Sequence, residues 1–76
     1  MKLYKKIKQE FVNIDDYSTL KVGDLVKVYS TKSNKFVTKK PLFVISMYSN
    51  KIIIQSMDSN TKEEFNIDDG TLKLLL

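Results

Sequence analysis

The sequence predicts a mainly β protein, a single small antiparallel barrel of about five strands with a short N-terminal helix or strand packed on it. Three observations favour this fold class. Ile and Val together number 13 while Ala is absent, and β-branched residues suit a pleated surface whereas Ala is the best helix former. From residue 20 onward, short apolar runs alternate with polar turns, as in barrels and sandwiches. A chain of 76 residues has a thin core, and closure into a barrel removes exposed sheet edges.

One domain is expected over residues 1–76, because the chain has no internal repeat and no low-complexity linker. Residues 1–19 supply the N-terminal helix or strand and a turn, and residues 20–76 supply the barrel. Leu3, Ile7 and Phe11 recur at helical spacing, which favours a helix that continues to residue 14. Residues 11–14 fit a short strand equally well, and the polar residues 15–18 predict a turn.

The expected strands of the barrel follow in order along the chain. Residues 25–30 alternate, so Val26, Val28 and Ser30 share one face. Residues 36–38 fit a short edge strand, and residues 42–48 are apolar on both faces, as in a central strand. Two polar residues separate that run from the next one, which predicts a tight hairpin. The remaining strands are expected at residues 51–57, 62–67 and 71–76.

The composition removes most classes of enzyme. The chain contains no Cys, no His and no Arg, so it lacks a disulfide, a thiolate metal site and the usual neutral-pH proton carrier. Only two glycines are present, and no glycine-rich loop cradles a phosphate. We therefore predict a non-enzymatic binding module without a cofactor, a metal or a small-molecule substrate. The acidic pairs are expected to bond their own turns, at Asp15, Asp16, Asp68 and Asp69.

The distribution of apolar residues predicts a cytoplasmic protein that does not enter a membrane. No apolar stretch approaches the roughly 20 residues that span a bilayer. The first residues carry lysines, but no apolar segment of a signal peptide follows them.

The order of features from Val22 onward resembles the SH3-like small barrels. A Gly-Asp pair at residues 23–24 opens the first barrel strand, a long polar loop follows, and two hydrophobic strands form a hairpin before a short strand, a turn and a final strand. The resemblance covers residues 20–76. It implies a module that binds nucleic acid, peptides or other proteins through aromatic residues on a strand face and through the flanking loops.

A narrower resemblance is to the MazF/PemK-type toxin ribonucleases, whose barrel is related. It rests on Gly-Asp-Leu-Val at residues 23–26, Lys-Pro-Leu-Phe-Val-Ile-Ser at residues 40–46 and three Ile at residues 52–54. In that family an Arg-Pro pair opens the middle strand and the Arg helps stabilise the cleaved phosphate. Lys40 stands at that position here and Ser56 is the nearest match to the second catalytic group, so the resemblance implies at most a degenerate ribonuclease fold, because Lys lacks the bidentate geometry of Arg.

The charge distribution indicates a basic surface. Residues 1–40 hold ten Lys and four acids, a net charge of +6, whereas residues 41–76 hold three Lys and five acids, a net charge of −2. Lysines neutralise phosphates and aromatic rings stack on bases, so lysines interleaved with aromatics predict nucleic-acid binding of weak sequence specificity. The expected binding residues are Lys27, Tyr29, Lys35, Phe36, Lys39, Lys40, Tyr48 and Lys51.

A protein-interaction module is the alternative function. The small size and a composition typical of an AT-rich genome suggest an inhibitor or adaptor encoded by a phage or mobile element. An exposed Tyr such as Tyr48 anchors a protein partner as readily as a base. The expected partner is thus a nucleic acid or a protein, and the sequence leaves the oligomeric state undecided, with a homodimer as one alternative.

Overall fold

The computed structural model describes residues 1–75, which form eight β-strands and one 3₁₀ turn. Strands cover 52% of these residues, and there is no α-helix among them. The 3₁₀ turn spans Tyr17–Thr19. The strands are β1 (Lys2–Ile7), β2 (Glu10–Asn13), β3 (Leu25–Ser30), β4 (Lys35–Phe36), β5 (Leu42–Met47), β6 (Lys51–Ser56), β7 (Lys62–Asn66) and β8 (Leu72–Leu75).

The strands form one curled antiparallel sheet with the shape of a half-barrel. Its order is β2-β1-β3-β5-β6-β7-β8, and β4 pairs with the end of β3 that β5 leaves free. The predicted mainly β class is confirmed, but the predicted strand count of five is wrong. Two of the further strands are β1 and β2, whose pattern is ambiguous between helix and strand. The short edge strand expected at residues 36–38 lies at Lys35–Phe36 as β4.

Of the two alternatives predicted for the N-terminal segment, a helix or a strand, the helix is wrong, because residues 2–13 form the β1–β2 hairpin. Leu3 is fully buried while Ile7 is 47% exposed, so the apolar residues at helical spacing, Leu3, Ile7 and Phe11, do not share one buried face. β1 pairs with β3 through four residue pairs, among them Leu3 with Val28. This pairing gives the backbone N–H and C=O groups of β3 hydrogen-bonding partners along the edge that faces β1. Such tertiary pairing outweighs the local preference for a helix, which is weak here because no N-cap residue precedes the segment.

The core lies on the concave side of the curled sheet. The first core strand confirms the predicted alternation, because Val26 and Val28 are both fully buried. A bulge in β5 leaves Ile45 without a partner, since Val44 pairs with Ile54 and Ser46 pairs with Ile53. The nine buried apolar residues are Leu3, Leu20, Val26, Val28, Leu42, Val44, Ile52, Ile54 and Phe65.

The segment between β2 and β3 covers the open side of the half-barrel. The Tyr17 ring lies 5.9 Å from the Phe65 ring, and Ile14 also packs against the core. Lys5 holds this segment in place through two contacts. Its Nζ donates a hydrogen bond to the Thr19 carbonyl at 3.0 Å and forms an ion pair with Asp24 Oδ2 at 3.3 Å. The N-terminal part therefore packs on the barrel as expected, through an irregular segment and not through a helix.

Two of the acidic turn residues show the predicted turn chemistry. Asp16 Oδ1 accepts hydrogen bonds from the hydroxyl of Ser18 at 2.6 Å and from its backbone N–H at 3.0 Å. Asp69 Oδ1 accepts the equivalent pair from Thr71 at 2.7 and 3.0 Å. Because these bonds favour the charged form, they lower the pKa of both carboxyl groups below the ordinary value.

Replacement of Gly70 is expected to destabilise the fold because a side chain has no room there. Gly70 has a φ of +68°, and a Cβ atom would lie 2.9 Å from the backbone oxygen of Met1. We expect Gly70→Ala and Gly70→Asn each to lower the free energy of unfolding by about 2–3 kcal/mol, measured by urea denaturation. Asn tolerates a positive φ but carries the same Cβ. An Asn variant as stable as the wild type would show that the close contact with Met1 is unimportant.

Candidate functional site

The outer, convex face of β1–β4 carries a set of lysine and aromatic side chains. They point outward because they alternate with buried residues such as Leu3 and Val28. The strand register places Tyr4 opposite Lys27 and Tyr29 opposite Phe36. We call this surface the Lys/aromatic face, which consists of Lys2, Tyr4, Lys6, Phe11, Lys27, Tyr29 and Phe36.

Three rings form a contiguous cluster at the centre of this face. The centroid of Tyr4 lies 5.6 Å from that of Tyr29 and 5.1 Å from that of Phe36. Tyr29 and Phe36 are 5.3 Å apart, and both contacts of Phe36 are edge-to-face, an arrangement that aromatic pairs favour. Phe36 is 38% exposed, so it presents the most accessible surface of the three for a flat ligand.

Lys27 extends across the same cluster. Its Nζ lies 4.7 Å from the centroid of Phe11 and 5.3 Å from that of Phe36. Cation–π attraction of this kind holds an ammonium over a ring without neutralising its charge. The lysine is therefore positioned between two rings and still carries a positive charge toward an incoming anion.

The Lys/aromatic face has no carboxylate to offset its lysines. Within the described residues, Lys2, Lys6 and Lys27 form no ion pair; the three ion pairs found there involve Lys5, Lys40 and Lys51. Glu10, which β2 contributes, pairs with Ile7 and so belongs to the opposite side of the sheet. The face thus concentrates positive charge beside half-buried rings.

Of the eight binding residues predicted from the sequence, the structure brings Lys27, Tyr29 and Phe36 together. Lys35 is exposed and pairs with Ser30, on the other side of the two-residue β4 from Phe36. Lys39 is exposed in the segment that connects β4 and β5.

The other three predicted residues lie elsewhere. Lys40 Nζ is 2.6 Å from Asp58 Oδ2 in an exposed ion pair. Lys51 Nζ lies 5.1 Å from the Tyr48 ring and 3.3 Å from Glu64 Oε1. Because β3 and β5 run antiparallel and Leu25 pairs with Phe43, the hairpin that holds Tyr48 and Lys51 is at the opposite end of the sheet from Tyr29.

Four residues of the Lys/aromatic face were missed, because the choice between a helix and a strand was left open for residues 3–14. They contribute the Tyr4 and Phe11 rings and the charges of Lys2 and Lys6. The signal that finds them is the alternation of residues 2–4 followed by a two-residue turn at Lys8 and Gln9. Lys8 has a φ of +59°, a value uncommon for Lys and typical of the first turn residue in a tight hairpin.

The two residues singled out by the toxin resemblance line one open cavity of about 220 Å³. Lys40 and Ser56 share it with Thr38, Ser59 and Glu63, among others. The Lys40 ammonium is engaged by Asp58. This arrangement brings the two positions near each other, and the ribonuclease reading stays a prediction.

No helix within residues 1–75 has the length and apolar character needed to cross a membrane. The chain matches no protein-family model, no curated protein and no solved structure. The SH3-like and toxin resemblances therefore stay predictions, and the case for function rests on the Lys/aromatic face.

Proposed function

We propose that the protein binds nucleic acid, with little sequence specificity, through the Lys/aromatic face. The observation that carries the proposal is the concentration of three lysines without ion pairs and four aromatic rings on the outer face of β1–β4, whose strands place no carboxylate there. Solvated lysines alone are common on β proteins, where they discourage edge-to-edge aggregation. Here Lys27 Nζ lies 5.3 Å from the partly exposed ring of Phe36, an arrangement that such a protective role does not require.

The lysines and the rings have separate tasks in this proposal. Lys2, Lys6 and Lys27 neutralise phosphates and release counterions, which supplies an affinity that depends on salt. Phe36, with Tyr29 beside it at 5.3 Å, offers a surface on which a base stacks. Lys contacts phosphate as a point charge and lacks the planar fork of Arg that reads guanine, so the binding discriminates weakly between sequences.

The direct test is fluorescence anisotropy with labelled DNA or RNA of about 15 nucleotides, single-stranded and as a duplex. We expect binding at about 50 mM salt, with log K falling against log salt with a slope of about −2, because three lysines each contribute about −0.7 on a single strand. Absence of binding to all four probes at this low salt would overturn the proposal.

Loss of the most exposed ring is expected to weaken this binding. Phe36→Ala removes the stacking surface, and stacking on one ring contributes about 1–3 kcal/mol per base, so Kd should rise roughly 5- to 150-fold. Tyr48→Ala is the matched control, because Tyr48 is 54% exposed at the other end of the sheet. Equal losses in the two variants would mean that the nucleic acid does not lie on the Lys/aromatic face.

The alternative function, a protein-interaction module, has support from a different part of the surface. Ile7 and Val12 are exposed on the β1–β2 hairpin and line one shallow cavity. Exposed apolar side chains that occur together mark sites of protein contact.

A further inference from the structure

Each lysine of the Lys/aromatic face lies directly opposite an aromatic residue of the neighbouring strand. Directly opposite residues of an antiparallel pair have Cβ atoms about 4.5–5.5 Å apart and point to the same side of the sheet. Three such lysine–ring pairs cross the face, and they are Lys2 with Tyr29, Lys27 with Tyr4, and Lys6 with Phe11. Each pair therefore offers a cation for a phosphate beside a ring for a base.

The three lysine–ring pairs follow one another along β1 at intervals of two residues. Their members on β1 are Lys2, Tyr4 and Lys6, so consecutive pairs are about 6.6 Å apart at a rise of ~3.3 Å per residue. The nucleotides of one strand in a duplex rise only about 3.4 Å each. The spacing of the pairs is thus about twice the spacing of nucleotides in a duplex, and it matches a strand whose bases are no longer stacked on one another.

The rings of this face suit unpaired bases. Phe36 is 38% exposed and adjoins Tyr29 at 5.3 Å, while Tyr4 and Phe11 are half-buried. In a duplex, both faces of each base are covered by the neighbouring base pairs, so a ring of the protein has no free base to stack on unless the duplex opens. A duplex therefore meets the lysines with its phosphates and leaves the rings unused.

We propose that the Lys/aromatic face selects single-stranded nucleic acid and binds it extended, with one nucleotide at each of the three lysine–ring pairs. This inference rests on the proposed function and names its ligand. At the pair formed by Lys2 and Tyr29, Phe36 enlarges the surface on which a base stacks. The half-buried Lys27 is held 4.7 Å from the Phe11 ring and 5.3 Å from the Phe36 ring, so its ammonium is positioned before a phosphate arrives.

Three probes of equal length test the preference for a single strand by fluorescence anisotropy at about 50 mM salt. They are an oligothymidylate of about 15 nucleotides, the corresponding duplex, and an abasic strand that keeps the phosphates but has no bases. We expect the oligothymidylate to bind at least about fivefold tighter than either other probe, because it alone stacks on the rings. The oligothymidylate and the abasic strand should share a slope of about −2 in log K against log salt, since both contact the same three lysines.

Loss of the most exposed ring should act on the bases and not on the phosphates. Phe36→Ala is expected to weaken binding of the oligothymidylate at least about fivefold and binding of the abasic strand less than about twofold. Unchanged binding of the abasic strand also shows that the variant is folded. Tyr48→Ala is the matched control, because Tyr48 is exposed outside this face, and it should change neither affinity. A Phe36→Ala variant that keeps the full preference for the oligothymidylate would overturn the proposed site of stacking.

Competition by oligothymidylates of different length tests the arrangement of one nucleotide per pair. Affinity should rise steeply up to about four nucleotides, which hold three phosphates, and then change less than about threefold per available register up to about eight. A further tenfold rise per register would contradict the three-nucleotide arrangement. A duplex or an abasic strand that binds as tightly as the oligothymidylate would overturn this inference while nucleic-acid binding itself stands. If no probe binds, the proposed function fails and this inference fails with it.

Discussion

Replacing Phe65 with Ala is expected to lower the free energy of unfolding by about 3–5 kcal/mol, the usual cost of removing a buried Phe side chain. Phe65 is fully buried on β7, opposite Ile52 of β6 and Leu72 of β8. Its ring also contacts Tyr17, which covers the open side of the half-barrel at 5.9 Å. The substitution therefore leaves a cavity under three strands and loosens the covering segment.

This loss is large for so small a chain. At roughly 0.05–0.15 kcal/mol per residue, a protein of this length has about 4–11 kcal/mol of stability in total. Urea denaturation followed by circular dichroism measures the change. Phe36→Ala is the matched control, since the same atoms are removed from a ring that is 38% exposed, and we expect it to cost about 1 kcal/mol through its aromatic contacts. Equal losses at the two positions would contradict the assignment of Phe65 to the centre of the core.

Neutralising the lysines of the Lys/aromatic face is expected to have the largest effect on nucleic-acid binding. In a triple variant, Lys2→Gln, Lys6→Gln and Lys27→Gln, the slope of log K against log salt should become less steep by about 2. At about 50 mM salt, loss of the counterion release that these three lysines provide weakens binding by roughly two orders of magnitude. Fluorescence anisotropy across a salt series measures both quantities, and the fold is monitored by circular dichroism.

A second triple variant separates the position of the charges from their number. Lys40→Gln, Lys62→Gln and Lys73→Gln also lowers the net charge from +4 to +1, but these lysines lie outside the Lys/aromatic face. We expect it to keep most of the affinity and most of the salt slope. If both triple variants lose binding equally, overall charge and not this face attracts the nucleic acid, and the proposed site is wrong.

The strand at residues 25–30 and the β5–β6 hairpin were predictable, because the order of their apolar residues fits strands and no other secondary structure. Residues 25–30 place two Val on one face, and the structure buries both. The strands Leu42–Met47 and Lys51–Ser56 form the expected hairpin around the polar residues Ser49 and Asn50, with Tyr48 N–H donating to the Lys51 carbonyl at 2.9 Å. Here the local hydrophobic pattern and the tertiary strand pairing favour the same structure, and under this condition secondary structure is predictable from the sequence.

The N-terminal segment was not predictable in the same way, because its residues satisfy two periods at once. Leu3, Ile7 and Phe11 fit a helix, while Leu3 and Tyr4 begin an alternation that fits a strand. Pairing of β1 with β3 decided between them, and this pairing depends on residues more than twenty positions away. The ambiguity of this segment also concealed four of the seven residues of the Lys/aromatic face, since Tyr4 and Phe11 reach the outer face only in a hairpin.

The sequence by itself determined that this protein is mainly β, that its net positive charge lies in residues 1–40 and consists of lysine, and that His, Cys and Arg are absent. These properties follow from composition and from periods of two residues, which need no knowledge of neighbours in space. Only the tertiary structure decided which lysines and rings share a surface: it joined Lys27, Tyr29 and Phe36 to Tyr4 and Phe11 and moved Tyr48 and Lys51 to the far end of the sheet. The reason is that antiparallel pairing sets the register between distant segments, so residues close in sequence separate along a strand while residues far apart in sequence become opposite partners.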